Sequence, residues 1–245
     1  LSAAPIHIAG ERLMLDPAGA LHWPAQRMLI VADLHFEKGS AAAARGQLVP
    51  PWDTRETLDL LAAMIRKYAP RRVVALGDSF HDRTAATRLQ AADQARLAAM
   101  AQETAFIWVL GNHDPAAPQG LPGMAAAEHR EGRLVFRHEA QRGRILGEIS
   151  GHFHPKASIA VRGTQVTRAC FIADGYRLLL PAMGAYTGGL DVRSPVIGDL
   201  FPRGGRVFLL GRERLYSFPY TPTRTLPSQA AATDGLGLAP RQLRL

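Results

Sequence analysis

A chain of 245 residues, 47% hydrophobic and 20% charged, is long enough to bury one large core and too short for a second catalytic module beside it. Its 29 Lys+Arg against 21 Asp+Glu give a formal net charge of +8, with Arg far outnumbering Lys. The single cysteine, Cys170, excludes an intramolecular disulfide framework and removes thiolate from any metal chemistry. The cationic surplus favours a polyanionic partner, because phosphate contacts gain from counterion release and bidentate Arg geometry. An Arg- and Ala-rich genome would give the same surplus, so charge alone leaves nucleic-acid binding open. Residues 1–9 lack a basic start followed by an apolar core, and no run approaches the length of a membrane span. A soluble, cytoplasmic protein without a membrane partner is expected.

In chain order, residues 6–35 read as β-hairpin material, with Pro17-Ala18-Gly19 as a turn. The strand-like run Met28-Leu29-Ile30-Val31-Ala32 leads into Asp33-Leu34-His35. A loop through Pro50-Pro51 then enters a helix capped by Asp53 or Thr54, with Leu58, Leu61, Ile65 and Tyr68 on one face and Pro70 ending it. Val73-Val74-Ala75-Leu76 runs into Gly77-Asp78, and a second helix is expected over 85–103. Phe106-Ile107-Trp108-Val109-Leu110 leads into Gly111-Asn112-His113-Asp114, followed by a Pro- and Gly-rich loop from Pro115 to Gly123. Alternating strands and helices are the crossover pattern of an α/β sheet.

The second half reads mainly as strands, at 133–137, 145–150, 158–161, 169–173, 177–180, 206–210 and 213–217. The 145–150 run precedes Gly151-His152-Phe153-His154. Cys170 sits in Ala169-Cys170-Phe171-Ile172, where a small buried hydrophobe is expected. Residues 221–245 have no apolar periodicity and several Pro and Gly, which reads as a disordered or loosely attached tail.

Four motifs thus place metal-binding side chains just after short apolar runs of the kind that form buried strands. Ligands cluster beyond the carboxyl ends of strands in α/β sheets. Six of the nine histidines, His35, His81, His113, His138, His152 and His154, lie in or between the motifs. Each motif alone is weak, but the four in this order specify a two-metal site for phosphoester cleavage.

The order Asp-x-His, Gly-Asp, Gly-Asn-His-Asp, an isolated His and Gly-His-x-His resembles that of the calcineurin-like metallophosphoesterases, over about residues 28–190. The longer strings Asp33-Leu34-His35-Phe36-Glu37-Lys38-Gly39 and Gly77-Asp78-Ser79-Phe80-His81-Asp82 resemble one branch, the ligase-associated DNA damage response endonucleases. Arg45-Gly46 and Pro50-Pro51-Trp52-Asp53-Thr54 between them fit the same branch. The resemblance implies an α/β fold, a four-layer αββα sandwich of the calcineurin-like metallophosphoesterase type, with residues 1–220 as the domain.

It further implies that Asp33, His35 and His154 hold one metal, Asn112, His138 and His152 the other, and Asp78 bridges both. Two such ions, roughly 3.5–4 Å apart, can activate a bridging water or hydroxide for in-line attack on a phosphodiester. His113 is then placed as the general acid, since an imidazole titrates near neutrality. No local motif marks His138, and a surface histidine after the strand is its alternative. Asp114 either orients His113 or stabilises the turn before Pro115. His81 either contacts the scissile phosphate or pairs with Asp82. Lys38, Arg45, Arg83 and Lys156 flank the motifs as phosphate contacts or as solvated surface. Phe36, Phe80 and Phe153 adjoin ligands, but core packing is expected of all three, Phe153 through strand alternation.

The nitrogen and oxygen donors suit two divalent ions of Mn, Fe, Zn or Co, and the resemblance suggests Mn. The leading expectation is a DNA endonuclease in repair, acting on single-stranded DNA in functional association with a DNA ligase and a helicase. A phosphodiesterase of small molecules, such as a cyclic nucleotide, would use the same residues. A metal-free binding scaffold is the third possibility, and the intact ligand set argues against it. Oligomeric state is not written in these residues.

Overall fold

The structure, a computed structural model, describes residues 2–116, 118 and 120–222. Seven strands form the first sheet, in the order β1 (Ala4–Ile8), β2 (Glu11–Leu15), β3 (Leu21–Trp23), β4 (Met28–Val31), β5 (Arg72–Leu76), β6 (Ala105–Val109) and β7 (Met124–Ala126). The first four run as an antiparallel meander, and β4 to β7 are parallel. Parallel neighbours need crossovers. From β4 to β5 the crossover is α1 (Lys38–Ala44) with α2 (Asp53–Tyr68), and from β5 to β6 it is α3 (Ala85–Arg88) with α4 (Ala91–Glu103).

The second sheet is built from β8 (Glu128–Glu131), β9 (Leu134–Arg137), β10 (Glu148–Ser150), β11 (Lys156–Val161), β12 (Thr164–Ala173), β13 (Arg177–Leu179), β14 (Gly205–Leu210) and β15 (Leu215–Tyr220). Its order is β15-β14-β12-β13-β10-β9-β8, with β11 pairing to β12, and β9, β10 and β13 are parallel. A short helix, α5 (Pro195–Leu200), precedes β14.

The alternation of side chains in β4 explains the layers. Met28 and Ile30 face the second sheet and pack with Leu134, Phe136, Ile149 and Phe171, whereas Leu29 and Val31 face outward onto Leu58, Leu61 and Met64 of α2 and Leu97 of α4. A strand buried on both faces must be apolar throughout, which is why its sequence shows no polar alternation. On the far side Cys170, Ile172, Leu179 and Val207 meet Ile197, Leu200 and Phe201 around α5. Two mixed sheets between outer helices make the αββα sandwich, with Cys170 fully buried in it.

Several local expectations need correction. Asp53 and Thr54 do not cap α2, whose N-cap is Trp52; instead the Asp53 carboxylate accepts from Gly39 N–H at 2.9 Å, and Thr54 Oγ1 accepts from Glu37 N–H at 2.9 Å. Both side chains are thus spent on α1, a helix that the sequence had hidden in a loop. The helix expected over 85–103 breaks at Leu89 and Gln90, which are extended (ψ 131 and 141). Leu89 turns inward and Arg88 is held by the Asp82 carboxylate at 2.6 Å, so tertiary contacts override a continuous Ala-rich helix. Strands β7 and β8 and helix α5 also went unread. The tail expected over 221–245 lies outside the described residues, apart from Thr221 and Pro222. Among the described residues no helix is long and apolar enough to cross a membrane.

Candidate metal centre

Five strand ends deliver the motif residues to one edge of the sandwich. Val31 pairs with Ala75 and Leu76 with Val109, so β4, β5 and β6 finish nearly level, and Asp33, Asp78 and Asn112 follow them. In the second sheet Arg137 pairs with Ser150, so His138 leaves β9 beside the point where His152 and His154 leave β10. The backbone then turns sharply. Asp33, His35, Asp78, His152 and His154 all have positive φ, between 45° and 69°, a region that non-glycine residues occupy only when surrounding contacts impose it. Those contacts are present: His35 N–H donates to the Asp78 carbonyl at 2.9 Å, Gly151 N–H to the His138 carbonyl at 2.9 Å, and His152 N–H to Asp33 Oδ2 at 2.9 Å.

The motif glycines are required by close approach. A Cβ on Gly77 (φ 72°) would stand 2.5 Å from His138 Nδ1, and one on Gly151 would stand 2.5 Å from Asp33 Oδ2. Phe153 is buried as expected, but through these left-handed turns and not through strand alternation, since 151–155 is not a strand. Phe36 and Phe80 are buried too, packed together 5.7 Å apart.

Two groups of donors converge, Asp33 with His35 and His154, and Asp78 with His138 and His152; the ligand atoms of each lie within 4.8 Å of one another. Asn112 Oδ1 is 2.9 Å from His138 Nε2, which adds an uncharged oxygen to the second group. Asp78 Oδ2 stands 3.4 Å from His138 Nε2 and 3.9 Å from His35 Nε2, between the two. His138 Nδ1 lies 2.9 Å from the Leu76 carbonyl, a contact that only an Nδ1–H satisfies, so Nε2 is the nitrogen directed toward Asp78 and Asn112.

Electrostatics fit a cation at these donors. Burial opposes charge on His138, but its hydrogen bond to Asp78 and the Asp33 and Asp78 carboxylates outweigh burial and raise the imidazole to about 9. Burial likewise opposes ionisation of Asp78, yet His138 and the His113 N–H bring its carboxyl down to about 2. Burial, then the adjacent His154, pull His35 down to about 2, so it stays neutral, the form in which imidazole ligates. An anionic pocket that keeps His35 neutral and holds a proton on His138 offers the place of that proton to a divalent ion of the borderline type.

His113 and His81 stand together at the mouth, their rings stacked 5.2 Å apart, each also within 5.4 Å of the His35 ring. His81 Nδ1 is 3.4 Å from His35 Nδ1, and Asp82 is engaged by Arg88 and Thr84. Asp114 accepts the N–H groups of Asp78, Ser79, Phe80 and Gly111 between 2.7 and 3.1 Å, which is the turn-stabilising arrangement. Burial, with the Asp78 charge, pushes its carboxyl up to about 6 against those donors. Arg83 lines a cleft of about 460 Å³ between residues 82–87 and 114–116. Lys156 Nζ donates to the Thr187 carbonyl at 3.2 Å.

Sequence reasoning missed the segment 183–187. Gly184 N–H donates to the Asp33 carbonyl at 3.1 Å, and Ala185 N–H to Thr57 Oγ1 at 3.0 Å, so this segment braces the first metal motif against α2. It follows β13, a parallel strand like the others that carry ligands, and its Gly-rich string was the available signal.

Comparison with known proteins agrees with this geometry. Residues 26–167 match the calcineurin-like phosphoesterase family. The chain belongs to that family and is a metal-dependent phosphoesterase. The structure is similar to the crystal structure of the Pseudomonas putida nuclease MPE, with a TM-score of 0.69 and 27% sequence identity, over 89% of this chain and 100% of that one. No curated protein matches the chain in sequence.

Proposed function

We propose that the protein is a binuclear endonuclease that hydrolyses the phosphodiester bonds of DNA. The observation that carries it is the pair of donor groups meeting at Asp78, with His113 beside them, Lys38 and Arg45 within the field of His81, Lys156 within that of Lys38, and Arg83 on the cleft that Asp114 also lines. Asp33, His35 and His154 would hold one ion and His138, His152 and Asn112 the other, with Asp78 shared. Ions bound there supply Lewis acidity, which lowers the pKa of water and offsets charge on the phosphoryl oxygens. The P. putida relative is a nuclease, which supports a nucleic-acid substrate, and the resemblance of the 33–82 strings to the repair endonucleases supports DNA. That resemblance also supports manganese as the metal and a repair setting alongside a ligase and a helicase.

The chain's own contribution is positioning and proton transfer. The buried carboxylates of Asp33 and Asp78 fix the charge of the site, and the Leu76 carbonyl fixes the tautomer of His138. His113 Nδ1 lies 2.7 Å from the His81 carbonyl, so its Nε2 faces the centre and can carry a proton to the leaving oxygen.

Circular single-stranded DNA, incubated with the protein and Mn, Fe, Zn or Co in turn, tests the proposal, because a circle has no ends and its cutting proves endonucleolysis. Circles that survive every metal, while a nitrophenyl phosphodiester is hydrolysed, would leave a small-molecule phosphodiesterase as the answer.

A further inference from the structure

Exposed aromatic side chains among the described residues fall in two places. Trp52 (60% exposed) and Tyr186 (43%) lie on two segments that meet at the N-terminal turns of α2, and Tyr216 and Phe218 lie on the edge strand β15. The aromatics that adjoin metal ligands in sequence, Phe36, Phe80 and Phe153, are buried and present no face to a ligand.

Trp52 and Tyr186 stand on backbone tied to the metal centre. Trp52 caps α2, and its carbonyl accepts from Glu56 N–H at 2.9 Å; the next two residues hold the start of α1, beside His35, through Gly39 and Glu37. Tyr186 is one residue from the Ala185–Thr57 bond to α2 and two from the Gly184–Asp33 bond. The Ala185–Thr57 bond sets Tyr186 beside the first turns of α2, which Trp52 opens, and desolvation, then the carboxylates of Glu56 and Asp53, hold its phenol above the ordinary value. Tyr186 also has φ 59°, an unfavourable conformation for a bulky residue. An exposed ring gains little from core packing, so a strained backbone that presents it outward fits a contact with something outside the chain.

Three cations border the same surface. Lys156 Nζ is fixed on the Thr187 carbonyl, next to Tyr186. Burial, then the Lys156 and Arg45 charges, against the attraction of Asp53, keep the Lys38 ammonium below its ordinary value, so Lys38 lies within the field of both other cations. Of the nearby carboxylates, Asp53 is buried and occupied by Gly39, while Glu56 is exposed. Leu48, 96% exposed on the segment leading to Trp52, extends the apolar surface.

We propose that Trp52 and Tyr186 form a stacking platform for unpaired bases of a single strand whose phosphates pass Lys38, Lys156 and Arg45 on the way to the metal centre. The proposal rests on the nuclease reading and narrows it. Stacking on an aromatic face tolerates any base but needs the base unpaired, so the platform favours single strands over duplexes without sequence preference.

Fluorescence provides a direct test, because Trp23 and Trp108 are buried, at 1% and 2% exposure, and Trp52 alone is open to a base. The metal-loaded protein is titrated with a nuclease-resistant phosphorothioate oligothymidylate. The expected result is saturable quenching. Trp52→Ala should abolish the quenching and weaken binding about five- to hundredfold, with Trp52→Phe restoring most of the affinity and none of the signal. Tyr186→Ala should weaken binding in the same direction, and Tyr216→Ala on β15 should leave it unchanged. On an abasic strand of equal length the Trp52→Ala loss should vanish. Wild-type affinity in both Trp52→Ala and Tyr186→Ala would overturn the platform while leaving the nuclease intact. Equal losses on abasic and thymidylate strands would also overturn it, assigning Trp52 a purely structural part. A protein that binds no strand and leaves DNA circles uncut would overturn platform and nuclease together.

Discussion

His113 donates from Nδ1 to the His81 carbonyl at 2.7 Å, and this single contact decides which nitrogen faces the candidate ligands: Nε2, 3.9 Å from Asp78 Oδ2. The carbonyl accepts in either protonation state of the ring, so the imidazole keeps its orientation whether or not Nε2 carries a proton. A group that must deliver a proton and recover it benefits from that constancy.

His113→Ala should therefore lose about 10²–10⁴-fold in turnover on DNA while retaining its bound metal. A nitrophenyl diester, whose leaving group needs no protonation, should lose far less. Steady-state rates on both substrates, with metal analysis of the variant, check this. Equal losses on the two would assign His113 to phosphate binding or ligation instead.

Gly77 and His138 make a second critical contact. With φ 72° and His138 Nδ1 2.5 Å from where a Cβ would lie, Gly77→Ala must displace the ring from its 2.9 Å bond to the Leu76 carbonyl. The expected outcome is loss of about 1–3 kcal/mol of stability from the backbone alone, and loss of the metal held by Asp78, His138 and His152. Asp33, His35 and His154 are not touched and should keep theirs. A metal titration should fall from two equivalents to one; an unchanged stoichiometry with normal turnover would contradict the assignment.

The sheets were legible because strands buried on both faces leave unbroken apolar runs, as in β4 and β6, and each ends in a conspicuous Gly or Asp. The elements that went unread are those whose reason is tertiary. Helix α1 is an Ala-rich stretch stabilised by Asp53 and Thr54 fourteen or more residues away, and the break at Leu89 exists because that side chain reaches the core. Strands β7 and β8, Met-Ala-Ala and Glu-His-Arg-Glu, carry no alternation because they lie at sheet edges. The same division holds at the site. Motif residues could be named from spacing, whereas the roles of Asp114, Lys156 and the 183–187 segment depend on which backbone groups happen to face them.

Asp16 offers a pH-dependent test of the fold. It is fully buried in the β2–β3 turn, where Ala18 N–H donates to Oδ1 at 2.8 Å, and Lys67 Nζ and the Tyr68 hydroxyl donate to Oδ2 at 2.5 Å each. Burial alone would raise its carboxyl, but Lys67, Tyr68 and Ala18 outweigh burial and hold it below the ordinary carboxylate value. The unfolded chain therefore takes up the proton first. Stability from ionised Asp16 is complete at neutral pH and is lost as pH falls through the folded-state pKa. Asp16→Asn should cost about 1–3 kcal/mol at pH 7, read from urea unfolding, and the gap to wild type should close toward pH 3. A gap that stays constant with pH would show that the charge is irrelevant.

The cationic rim gives the last prediction. Lys38, Arg45, Arg83 and Lys156 come from α1, the turn after it, the segment after Asp78 and the start of β11, so no single element makes the rim and its members can be altered separately. If they hold the phosphates that flank the scissile bond, affinity for single-stranded DNA should fall with salt on a log-log plot by roughly 0.7 per phosphate neutralised. Each charge reversal should flatten that slope and slow DNA cleavage at moderate salt, largely independent of base sequence. Hydrolysis of a nitrophenyl diester makes few such contacts and should respond weakly to salt. Cleavage of circular single-stranded DNA across a salt series, for wild type and the four reversals, measures both quantities. A slope near zero in the wild type, or reversals that slow the ester and the DNA alike, would mean that the rim acts on the metal centre and not on the strand.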